Sequence, residues 1–119
     1  MDINSVKSLF TMISGEEDYE IYLPIIILSL SETERMLKAG ADRSDIRLDF
    51  LSAAIANFRY VQLKASRDRT QAVMLGNALT SENESGTLRY AEKLMYSYMG
   101  MCSELIDCDG FVFSGFGKE

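Results

Sequence analysis

At 119 residues the chain has room for one hydrophobic core, which argues against a division into several domains. Apolar residues make up 47% and charged residues 25%, the balance of an ordinary soluble globular protein. A formal charge of −6 counts against a dedicated nucleic-acid binder, which normally carries a basic excess.

The spacing of apolar residues predicts four helices, taken here in chain order. Ile3, Val6, Leu9 or Phe10, and Ile13 recur every three or four residues and Gly15 supplies a stop, so a first helix is expected over 3–14. The acidic linker "GEEDYE" follows, with Asp18 as a candidate cap for a second helix over 19–38. Ile21, Ile25 and Leu28 form one stripe of that helix, and Ile26, Leu30, Thr33 and Leu37 another. Its front half is therefore apolar nearly all round, the pattern of a helix that sits deep or faces two partners. Pro24 lacks the N–H that would bond the Glu20 carbonyl, which predicts a kink or a late start, and Gly40 is the expected C-cap.

A third helix is expected over 43–66, capped by Asp42 or Ser44, with Leu51, Ala54, Ile55, Phe58, Gln62 and Ala65 in register. The small residues of "SAAIAN" permit close approach by neighbours, which makes this the expected central packing helix. The period then changes. "QAVMLGNALTS" holds two short apolar stretches around Gly76-Asn77, and a strand or loose hairpin is expected over 71–79. After a polar "SENESG" loop, Leu88, Ala91, Met95, Tyr98, Cys102 and Leu105 predict a fourth helix over 87–106, with Gly100 inside it. Phe111, Phe113 and, past a glycine, Phe116 would share one face of a terminal strand over 111–116. The fold class expected is mainly α: a single four-helix domain with a small β element in the middle and at the C-terminus. The two β segments would pair with each other or offer an edge to another chain.

Residues for chemistry are scarce. The chain has no histidine, the commonest general base and a favoured metal ligand. Cys102 and Cys108 lack the companions of a zinc site and are too few for a disulfide framework, so free thiols in a reducing compartment are expected. Asp45 and Asp49 share a helix face at i,i+4, where a solvated surface is the simpler reading than a metal pair. "SGFGK" lacks the spacing of a phosphate-binding loop, and acidic Asp42, Asp45 and Asp49 speak against a DNA-reading helix. No catalytic residue, cofactor or metal is expected, and the chain reads as no enzyme. "MDINSVKSLF" lacks the apolar core of a signal peptide, and "IYLPIIILSL" is too short to span a membrane, so a soluble intracellular protein without membrane contact is expected.

Two groups remain as candidate interfaces. One is the aromatic set Phe111, Phe113 and Phe116. The other is the segment 59–69, where Arg59, Lys64, Arg67 and Arg69 face Asp68 alone, a local charge of +3. That segment reads either as a helix end whose cations suit the negative pole of the dipole, or as an electrostatic docking patch.

The order of these elements, with "LDFLSAAIANFRY" and an "AEKL…DGFVF" texture, resembles the small helical head–tail connector proteins of tailed bacteriophages and prophages. The resemblance covers most of the chain. It implies a subunit of a homo-oligomeric ring below the portal, in contact with portal and tail-completion proteins, with DNA passing through the channel without specific binding. It implies a place in the bacterial cytoplasm during assembly and in the virion afterwards. The chain departs from the family's pattern in having no long basic C-terminal arm, which puts portal anchoring by such a tail in doubt. A small helical regulatory protein that binds one protein partner is the alternative from another class.

Overall fold

The computed structural model describes the backbone of residues 1–75 and 81–107, and the side chains of 1–67, 70 and 86–107. Four helices follow one another: α1 (Ile3–Ser14), α2 (Leu23–Met36), α3 (Ile46–Leu75) and α4 (Ser81–Met101). Residues 76–80 and 108–119 lie outside the described residues, and with them the expected strand over 111–116.

α3 is the axis of the molecule. Among the described residues it packs against each of the other three helices, α1 packs also on α2, and α4 packs on α3. Residues 51–58 of α3 are buried without interruption, because the helix is covered on opposite sides. Ser52, Ala53, Ala54 and Ala56 make this possible, since small side chains let neighbouring backbones approach closely. The central packing helix is where the sequence puts it.

The ends of the helices follow local chemistry. Asp2 caps α1 by accepting the Asn4 N–H at 3.0 Å, and Gly15 closes it in the left-handed conformation at φ +80°. α2 begins late, with Pro24 in its first turn, where a missing N–H costs nothing. Its N-cap position is Tyr22, so Asp18 does not cap it. The C-cap is extended Leu37 in place of Gly40, and Gly40 (φ +82°) instead turns the chain between α2 and α3. Asp45, rather than Asp42 or Ser44, accepts the Arg47 N–H at 3.0 Å immediately before α3.

The expected β element over 71–79 is not there in its described part. α3 runs on through Leu75, because nothing from Ser66 to Leu75 breaks a helix and the first glycine is Gly76. α4 begins at Ser81, so "SENESG" opens the helix instead of forming a loop. α4 ends at Met101, short of 106, and the chain turns through residues 102–105. Among the described residues the only β pairing is an isolated antiparallel bridge between Leu37 and Ile106. It is held by Lys38 N–H on the Leu105 carbonyl at 2.9 Å and Asp107 N–H on the Met36 carbonyl at 2.7 Å. This bridge, with Lys38 Nζ on the Ser103 carbonyl at 3.2 Å, ties the end of α2 to the chain beyond α4.

The seam between α2 and α3 is polar and satisfied. The Ser52 hydroxyl donates to Thr33 at 2.8 Å, Thr33 to the Ser29 carbonyl at 2.9 Å, and Ser29 to the Ile26 carbonyl at 2.7 Å, all fully buried. Asp49 also leaves solvent, so the expected solvated face of Asp45 and Asp49 does not form. It accepts the Asp2 N–H at 3.3 Å, and burial raises its pKa above the ordinary 3.8. A carboxyl whose folded pKa is raised favours folding fully at pH below its unfolded pKa, and that contribution is lost as pH rises through the folded value. Asp49→Asn is therefore expected to raise the Tm at neutral pH, with the gain vanishing below pH 3.8. Thermal melts across pH check it; an equal gain at every pH counts against a titrating origin.

Candidate protein-docking surface

Of the four cations expected to act together, Arg59 is drawn away from Lys64 and Arg67 by a buried partner. The Arg59 guanidinium lies between α2 and α3, its Nη2 donating to Glu32 Oε2 at 2.9 Å and its Nε to Oε1 at 3.2 Å. The two side chains keep only 14% and 12% of their surface, so Arg59 is a strut between helices rather than a docking cation. Lys64 and Arg67 are exposed on the same broad face of α3, one and two turns further on. Arg69 is in α3, about 200° around the axis from Arg67 by helical phase, and its side chain lies outside the described residues, as do Phe111, Phe113 and Phe116.

The acidic linker sits beside this basic face. The Tyr60 hydroxyl donates a short hydrogen bond to the Glu16 carboxylate, and Tyr60 is one turn before Lys64. Burial and the Glu16 charge push the Tyr60 phenol up, while Arg67 pulls it down, which places Arg67 in the same electrostatic neighbourhood. Glu17, Asp18 and Glu20 follow Glu16 on the exposed surface. Two of these cations, Arg59 and Arg67, thus have carboxylates from elsewhere in the chain in their neighbourhood, an arrangement poorly suited to a phosphate backbone.

A second charged cluster was not legible in the sequence. Arg47 bonds Asp45 through Nη2 at 2.8 Å and Nε at 3.1 Å, and its Nη1 reaches Glu104 at 2.6 Å and the Met101 carbonyl at 3.0 Å. It clasps the start of α3 to the end of α4, and the guanidinium lowers the Asp45 carboxyl to about 2. The nearby Cys102 thiol is buried and shifted upward by burial, an unreactive setting; Cys108 lies outside the described residues. Among the described residues no group of three histidine, cysteine or acidic side chains is placed to hold a metal, and no helix is long and apolar enough to cross a membrane.

What the fold does expose is the other stripe of α2. Ile26, Ser29, Thr33 and Met36 face the core, which leaves Pro24, Ile27, Leu28, Ser31 and Arg35 on the outward face. Ile27 is 52% exposed, Leu28 47%, and Ile21 in the preceding turn 67%. Residues 21–31 contain no charge at all. Leu63 of α3 is also exposed, at 53%. The large exposed residues of α4 do not make a comparable stripe, since Tyr90 and Tyr96 point about 120° apart. α2, expected to sit deep or to face two partners, packs on α3 and α1 and leaves this outward face exposed.

No family model, no curated protein and no solved structure matches this chain.

Proposed function

We propose that the chain is a non-catalytic structural protein that works by docking to other proteins, as a subunit of a head–tail connector ring in a tailed bacteriophage or prophage. The observation that carries the docking reading is the outward face of α2, a charge-free apolar strip on a protein of net charge −6. The connector setting draws its support from the sequence texture described above and from the mainly helical body. Its partners are further copies of itself, the portal and tail-completion proteins. DNA passes the ring without being held, which agrees with Arg59 being taken up by Glu32 and with the acidic linker beside Lys64 and Arg67. Phe111, Phe113 and Phe116 are the second proposed contact. Assembly takes place in the bacterial cytoplasm and the product is part of the virion.

Co-expression with the portal protein encoded beside it tests this. Electron microscopy is expected to show a ring of this chain on the portal, and deletion of residues 110–119 to abolish the ring while the helical circular dichroism survives. If the neighbouring genes encode neither portal nor tail proteins, the connector reading falls. A small helical regulatory protein bound to one partner is then the better reading, favoured by the strip being only about one helix wide.

A further inference from the structure

The ends of the α2 strip differ in charge. At its N-terminal end stand Glu17, Asp18 and Glu20, and at its C-terminal end Arg35, exposed and on the same face as Leu28 two turns earlier. Among the described residues none of these four is in a salt bridge, whereas Glu34, two turns after Ile27 on the same face, is paired with Arg43. A face used against a copy of itself must avoid like charges at its centre and match its two ends, because a two-fold axis brings one end onto the other. This face does both.

We propose that a second copy of the chain occupies the outward face of α2, antiparallel, about a two-fold axis passing between Ile27 and Leu28. In antiparallel helices, facing positions are equidistant from the axis. With the axis there, Ile27 meets Leu28 of the second copy and Pro24 meets Ser31, each pair occurring twice, and the turn that carries Glu20, just before the helix begins at Leu23, comes opposite Arg35. The most exposed apolar side chains of the helix are central, and the unpaired opposite charges coincide at both rims. One helix on one helix buries less than the roughly 800 Å² per partner of a standard interface, so a micromolar dimer is expected. The contact rests on the docking reading but not on the connector setting, and a ring would need its neighbour contacts on other surfaces.

Light scattering of the full chain up to about 100 μM tests the proposal, with twice the 13.4 kDa chain mass expected at the upper end. Leu28→Asp should give a monomer with an unchanged circular dichroism spectrum. Arg35→Glu should weaken the dimer roughly tenfold or more, because each lost pair is lost twice. Glu20→Arg combined with Arg35→Glu should restore it, a rescue that only this register provides. A monomer at every concentration overturns the proposal. So does an oligomer indifferent to Leu28→Asp, or a dimer that the double exchange fails to rescue. None of these outcomes bears on whether a ring forms on the portal.

Discussion

Replacing Arg59 with methionine is expected to lower the free energy of unfolding by about 3 kcal/mol, among the larger single-residue effects in this protein. The reason lies in what stays behind. Glu32 keeps only 12% of its surface and accepts two hydrogen bonds from the guanidinium, so the substitution leaves a carboxylate at a closed seam without its cation. Breaking a buried pair costs about 3–5 kcal/mol, and the residual exposure of both partners places this case at the lower end. For a chain of this length that is a fall in Tm of roughly 10 °C. Exchanging both partners at once, Arg59→Met with Glu32→Leu, should recover most of the loss, because two apolar groups of similar volume need no desolvated charge to be matched. Urea unfolding of the single and double variants checks this. A loss below 1 kcal/mol for Arg59→Met would mean that the pair is solvated and holds the two helices together only weakly.

Arg59 also shows where sequence reading stops. Its helix, its register and its neighbours Phe58 and Gln62 are legible from periodicity, but its partner is 27 residues away on another helix. Charge clusters in a sequence report what is near in the chain, and salt bridges report what is near in space. The same limit hid Arg47, whose carboxylates come from both ends of the α3–α4 unit, and Asp49, whose burial depends on the packing of Asp2 above it. Core positions were more legible, since a helix repeats its geometry. Val6, Phe10, Leu51, Ile55, Ala91 and Met95 all appear as in-register apolar residues and all are buried.

The misread segment is 71–75. The apolar period changes at Gln71, where a strand is expected, but the backbone stays helical to Leu75. In the structure Val61 is the last residue of α3 described as buried, while Leu63, Lys64, Ser66, Arg67 and Thr70 are exposed. The helix continues where its apolar stripe ends, since no glycine or proline interrupts it before Gly76. For the α2 face, the all-round apolar pattern was legible, and which stripe would stay outside was not. That choice depends on the seam with α3, where small Ser29, Thr33 and Ser52 interlock and Ile27 and Leu28 have no counterpart.

Phe10→Ala is expected to cost about 3–5 kcal/mol, the upper range for a single core truncation. Phe10 is fully buried and joins three parts of the chain through its ring: centroids lie 5.9 Å from Tyr22, just before α2, and 5.9 Å from Tyr60 on α3. Tyr22 and Tyr60 are 4.9 Å apart and edge-on, so the three rings close on one another. Removing the central ring forfeits its burial and two aromatic pairs worth about 0.5–1.5 kcal/mol each. The void cannot be filled by α1 alone, because Asp2 and Gly15 fix both its ends. Phe10→Leu, which keeps most of the volume, should cost less than about 1.5 kcal/mol. The second consequence is electrostatic. Tyr60 is held off its ordinary pKa of 10.0 chiefly by burial, then by its hydrogen bond to Glu16. With Phe10 gone, solvent reaches the phenol from the α1 side, and the Tyr60 titration should move down towards 10.0 in Phe10→Ala but stay raised in Phe10→Leu. Ultraviolet titration of the phenols, alongside urea unfolding, reads both effects. If Phe10→Ala unfolds with a loss under 1 kcal/mol, or leaves the Tyr60 titration in place, the three rings are neighbours without being the joint that holds α1 and the acidic linker onto α3.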